Sequence, residues 1–156
     1  MKLSQLVRTQ AIKPMLASTD RDGIIAEMVE VLVAGGAAPE SLKPELVRLV
    51  MERERRMSTG FGRGVAVPHV KHKSVTSASA AIGLSPKGVD FNAMDKQPVY
   101  AVFLLLSPED RPDDHLHAME VIFRNLGNER FRRMLRQSGT ADEVWRVIEE
   151  ADATHV

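Results

Sequence analysis

The sequence predicts an α/β fold, one domain with helices covering a β-sheet. Three observations support this. Val99 to Leu106 reads Val-Tyr-Ala-Val-Phe-Leu-Leu-Leu, and a run apolar on both alternating faces belongs to a central, covered strand. Helical periodicity flanks it, at Ile24, Ile25, Met28, Val31 and Leu32 before and at Leu116, Met119, Ile122, Phe123 and Leu126 after. The chain of 156 residues is long enough for a single domain with its own core, and no repeat, low-complexity tract or linker divides it. Residues 1–156 are therefore expected to form one domain.

The elements follow in order. Val7 to Met15 reads as a short extended segment. Thr19 or Asp20 caps the first long helix, and Gly35-Gly36 closes it in the left-handed conformation open to glycine. Pro44, suited to a first helical turn, starts the next helix. Its stripe is Leu46, Leu49 and Val50, continued by Arg53 and Met57, and a charged residue on such a face needs a reason. Ser58 to Pro68 then reads Ser-Thr-Gly-Phe-Gly-Arg-Gly-Val-Ala-Val-Pro, with glycine at every second position through its middle. Val65 to Val67 is a brief strand ending at Pro68 and His69, and Ser77 to Leu84 is another. Beyond the central strand, Pro112 opens a helix that Gly127 ends. A short helix spans Glu129 to Gln137. The capping box Thr140-Ala-Asp-Glu143 starts the last helix, which buries Val144, Trp145 and Ile148.

Composition removes several function classes. The 21 basic and 21 acidic side chains balance, so there is no general attraction to nucleic acid or anionic membrane. Arg53-Glu54-Arg55-Arg56 is the most obvious local patch. With no cysteine, a disulfide framework, a thiolate zinc cage and a cysteine nucleophile are excluded. Met1 to Val7 is too short and polar for a signal peptide. The apolar run at Val99 falls far short of the roughly 20 residues a membrane helix needs. The expectation is a soluble, cytoplasmic protein.

His69 follows the glycine-rich segment, and neutral imidazole is a nucleophile at physiological pH. A phosphoryl group on it would bring about −1.5 to −2 charges, and successive backbone N–H groups of a glycine loop can hold such an anion. His115, in the first turn of the Pro112 helix, can donate a hydrogen bond to it. Arg53 offers a guanidinium suited to phosphate oxygens. Singly, these residues also read as a strand-end histidine, an exposed histidine and a surface charge. A metal site built from His69, His72, His115 and His117 is disfavoured, because residues two apart on a helix point in different directions.

From Arg53 to His115 the chain resembles the enzyme IIA domains of the bacterial phosphotransferase system, in the fructose/mannitol and nitrogen-regulatory class. The residues that carry this are Arg53-Glu54, the block from Ser58-Thr59-Gly60 to Pro68-His69, Gly88-Val89-Asp90-Phe91, Pro98 to Pro108 and Asp114-His115-Leu116. The resemblance implies a mixed sheet flanked by helices and a domain that carries phosphoryl groups without metal or organic cofactor. His69 would accept the group from the histidine-containing phosphocarrier protein. It would then pass the group to an enzyme IIB domain or hold it as a regulatory signal. His115 and Arg53 match the second histidine and the arginine of the site. Ser58, Thr59, Gly60, Gly62 and Gly64 would form the phosphate loop, and Phe61 and Arg63 would meet partners, with Met57 a further contact candidate. Arg63 departs from the pattern, standing where the loop often has asparagine, and His72 and His117 are extra histidines. Without a cysteine or an attached transporter domain, the nitrogen-regulatory role is favoured over a sugar-specific IIA component feeding a separate permease. A binding module without transfer is the third alternative.

Overall fold

The computed structural model describes residues 1–154. The elements are α1 (Leu3–Leu6), β1 (Val7–Lys13), α2 (Arg21–Ala34), α3 (Lys43–Arg56), β2 (Gly60–Gly62), β3 (Val65–Ala66), β4 (His69–His72), β5 (Ser79–Val89), β6 (Val99–Pro108), α4 (Pro112–Leu126), α5 (Glu129–Gln137) and α6 (Ala141–Thr154). The six strands form one mixed sheet in the order β1-β5-β6-β3-β2, with β4 paired to β6 beyond β3. β5 and β6 are antiparallel, whereas β1 joins β5 and both β3 and β4 join β6 in parallel.

β6 is the central strand its sequence predicts. Ala101, Phe103 and Leu105 face a core shared with α1, α4, α5 and α6, while Val102, Leu104 and Leu106 face one shared with α2 and α3. With both faces dry, Ala101 to Leu106 is apolar throughout, as a doubly covered strand requires, and the strand's buried polar residue, Ser107, comes after that run. Among the described residues no helix is long and apolar enough to cross a membrane.

Several local details differ from the sequence reading. Asp20, not Thr19, caps α2, accepting from the Gly23 N–H at 2.7 Å. Gly36 alone is left-handed (φ 89°), since Gly35 stays right-handed at −75°. The inward line of α3 is Leu46, Val50 and Glu54, with Leu49 and Arg53 at its flank and Met57 exposed. On α4 the inward line is Ala118, Val121, Ile122, Asn125 and Leu126, and Leu116 is exposed. In α6, Val147 takes the buried place expected of Trp145, which is half-buried. β2 and β4 arise where a loop and a strand end were expected, because β3 and β6 offer free edges that short, otherwise unremarkable segments can pair with.

Candidate active site around His69

The chain from Glu54 to His72 is built as a hairpin followed by an edge strand. β2 and β3 pair antiparallel with Gly62 opposite Val65, so Arg63 and Gly64 form a two-residue turn. Both have positive φ, 61° and 80°, the signature of a type I′ hairpin turn. After β3, Val67 donates to the Thr59 carbonyl at 3.0 Å, and Pro68, with no N–H to give, accepts from Leu105 at 3.0 Å. His69 then opens β4 opposite Leu105. His69 therefore starts an edge strand, with α3 packed against β4.

Within this frame His69, His115 and Arg53 line one cavity of about 350 Å³, together with Glu52, Arg56 and Lys71. The rings of His69 and His115 lie 5.6 Å apart, centroid to centroid, tilted by 50°. His69 Nδ1 is 2.9 Å from the Val67 carbonyl. A carbonyl only accepts, so the proton sits on Nδ1 and the lone pair of Nε2 is left free. Burial holds the His69 pKa below the ordinary imidazole value, opposed by the Val67 hydrogen bond and helped by the Arg53 charge. His115 is lowered to about 4 by burial, with the charges of Lys71 and His69 adding to it. Both rings are neutral at physiological pH, and a neutral imidazole is the nucleophilic form.

The sign of the resulting pH dependence follows from linkage. Between the unfolded histidine pKa of about 6.5 and the lower folded values, the unfolded chain binds protons that the native state refuses. These two rings therefore destabilise the fold as pH falls from about 6.5 toward 4 and leave it unaffected above that window. An NMR titration is expected to show both rings changing below the free-histidine value, His115 last. A midpoint for His115 at or above the free value would contradict this.

Arg53 donates from Nη1 to the Met57 carbonyl at 2.9 Å, which closes the C-terminal turn of α3 and holds the guanidinium beside His69. Arg56 and Lys71 join it on the cavity wall. Three cations and two neutral imidazoles make a site suited to a multiply charged anion next to a nucleophilic nitrogen.

The glycine segment, expected to form a phosphate loop, is built as the β2–β3 hairpin. None of Ser58, Thr59, Gly60, Gly62 and Gly64 lines the His69 cavity. The Thr59 N–H and hydroxyl both go to Glu54, and the Gly60 N–H goes to Ser58 Oγ, whose own proton goes to the Phe91 carbonyl. These donors are committed to the hairpin. Gly64 packs against Tyr100, and Arg63 and Gly64 line a separate cavity with Asp95 and the arginines of α5. Arg63 thus stands away from the His69 cavity. Its left-handed backbone, with the N–H held by Asp95 at 3.0 Å, explains why asparagine suits this position. Arg63→Asn is expected to raise stability by about 0.5–1 kcal/mol in urea unfolding, and a loss would refute the strain argument.

Phe61 is 38% exposed and packs edge-on against Phe123 of α4 with centroids 4.9 Å apart. Met57 and Leu116, next in sequence to a cation of the cavity wall and to His115, are 61% and 56% exposed. The extra histidines separate: His72 is buried, accepts the Ser74 N–H at Nδ1 and meets Glu45 at Nε2, whereas His117 is exposed. Sequence reasoning did not single out Lys71 or the buried side of Glu54. Lys71 had a signal, since it lies two residues after His69 on the same strand.

Known proteins carry the same architecture. Residues 5–151 match the family model described as the phosphoenolpyruvate-dependent sugar phosphotransferase system, EIIA 2. The chain is 32% identical to the fructose-specific EIIABC component of Bacillus subtilis over 97% of its own length, and spans about a quarter (24%) of that protein. It is 32% identical to the nitrogen regulatory protein of Bradyrhizobium diazoefficiens, with 99% of both chains covered. The crystal structure of nitrogen regulatory protein IIA-Ntr from Neisseria meningitidis superposes with a TM-score of 0.82 at 26% identity, covering 92% of this chain and 97% of that one. With a match that runs through nearly every element of the fold, the chain belongs to the EIIA 2 family of the phosphoenolpyruvate-dependent sugar phosphotransferase system.

Proposed function

We propose that this protein is a phosphoryl carrier whose acceptor is Nε2 of His69. The observation that carries the reading is the meeting of His69, with Nε2 free, His115 and Arg53 on one cavity. The donor is a phosphohistidine of the histidine-containing phosphocarrier protein. The P–N bond to the donor ring breaks, its electron pair returns to that ring, and a P–N bond to His69 Nε2 forms. The Val67 carbonyl keeps hold of the Nδ1 proton throughout. Such transfer asks mainly for positioning and charge stabilisation. Arg53, Arg56 and Lys71 supply the charge, and His115 a hydrogen bond. Phe61, Met57 and Leu116 provide exposed apolar surface of the kind a transient partner covers.

The group then leaves for an enzyme IIB domain or stays as a regulatory signal. The end-to-end match to a nitrogen regulatory protein favours the regulatory role. The fructose-specific relative, in which this chain spans a quarter of the length, keeps the sugar-specific role as the second reading. The test is incubation with phosphoenolpyruvate, enzyme I and the phosphocarrier protein, followed by addition of a fructose- or mannitol-type IIB domain. One acid-labile phosphoryl group per chain is expected, retained when IIB is added. Rapid loss to IIB would favour the sugar role, and no uptake would overturn the carrier reading.

A further inference from the structure

Ser107 lies on β6 with the same parity as Phe103 and Leu105, so it faces α4. It is fully buried, at 0% exposure, and its hydroxyl has one hydrogen-bond partner among the described residues, His115 Nδ1 at 2.8 Å. That pair can be wired in two ways. If Nδ1 carried the proton, it would donate to Oγ, and the serine proton would be left without an acceptor in a site closed to water. If Nδ1 is bare, the serine donates to it and no buried donor is wasted. An unpaired buried donor is costly enough to shift such a choice by roughly tenfold or more.

We propose that Ser107 is the positioning residue that fixes the tautomer of His115, holding Nδ1 bare and Nε2 protonated. His115 then meets the cavity as a neutral hydrogen-bond donor. The site uses two opposite devices on its two rings. The Val67 carbonyl holds a proton on Nδ1 of His69, which bares Nε2 for attack. The Ser107 hydroxyl keeps the proton off Nδ1 of His115, which places it on Nε2 where a phosphoryl oxygen can accept it. The nucleophile and the donor thus receive complementary tautomers without either ring becoming charged. The catalytic consequence rests on the carrier reading above, but the tautomer itself does not.

The experiment uses wild type, Ser107→Thr and Ser107→Val. The two variants have nearly the same shape, and only threonine keeps a hydroxyl. Amide spectra establish that each variant is folded, with Ser107→Ala in reserve should the branched side chains disturb β6. Long-range nitrogen-15 spectra of the imidazole rings then read the protonation of each nitrogen directly. Wild type and Ser107→Thr are expected to show His115 bare at Nδ1 and protonated at Nε2. Ser107→Val, or Ser107→Ala, is expected to populate the other tautomer and to slow phosphoryl uptake by about fivefold. The proposal is overturned if wild-type His115 carries its proton on Nδ1, or if the hydroxyl-free variant matches wild type in both tautomer and rate. Should wild type take up no phosphoryl group at all, the carrier reading falls and the ring spectra still decide the role of Ser107.

Discussion

His69→Ala is expected to take up no phosphoryl group from the phosphocarrier protein while keeping its fold. The half-buried ring contributes only part of its surface to packing, and its hydrogen bond to Val67 lies at an open sheet edge, so the structural loss is small. The chemical loss is expected to be complete, because the other imidazole on the cavity, that of His115, has no free Nε2 lone pair in the tautomer proposed above. His115 cannot replace it when its Nε2 carries a proton. His115→Ala is accordingly expected to slow uptake rather than abolish it, by about 10²-fold, in line with the loss of one aimed donor. Mass spectrometry of intact protein, with and without acid treatment, reads both variants. Uptake by His69→Ala equal to wild type would remove His69 as the acceptor, and an unchanged rate in His115→Ala would remove His115 from the site.

How far this site was legible in the sequence depends on the residue. The two-faced apolar run of β6 announced a covered central strand, because burial on both sides disfavours any polar side chain that lacks a partner. His69 and His115 were legible through the blocks around them. The helix faces were less so. On α3 two lines of residues spaced by four compete, Leu49-Arg53-Met57 and Leu46-Val50-Glu54, and the one carrying a glutamate is the buried one. Periodicity cannot choose between them, since the choice depends on a partner for Glu54 that lies in the hairpin. On α4 the apolar periodicity puts Leu116 at the head of the inward stripe, yet the line His115, Ala118, Ile122 faces the sheet and leaves Leu116 outside. The glycines were ambiguous for a related reason. A glycine-rich segment suits both an anion loop and a type I′ hairpin, and only the pairing of β2 with β3 and of β3 with β6 separates the two.

The buried glutamate carries the largest expected effect on stability. Glu54 is 2% exposed and spends both carboxylate oxygens on Thr59, one on its N–H at 2.7 Å and one on its hydroxyl at 2.6 Å. Thr59 is fully buried, so water cannot replace either bond. The connection runs on: the Thr59 carbonyl accepts from Val67, and the Val67 carbonyl accepts from His69 Nδ1. Glu54 therefore ties the end of α3, where Arg53 sits, to the peptide that sets the His69 tautomer. Glu54→Ala leaves two buried donors unpaired and opens a void, and is expected to cost about 3–5 kcal/mol of unfolding free energy. Glu54→Gln keeps the shape and one acceptor, and is expected to cost about 1–2 kcal/mol. Urea unfolding at pH 7.5, above the window in which the two rings titrate, gives both values from the shift in midpoint at constant slope. If alanine costs less than about 1 kcal/mol, or glutamine costs as much as alanine, the carboxylate is not the tie described. Because the same bonds lead to His69, the glutamine variant should also take up phosphoryl groups more slowly at a protein concentration and temperature where it is fully folded. A glutamine variant as fast as wild type would leave Glu54 with a purely structural role.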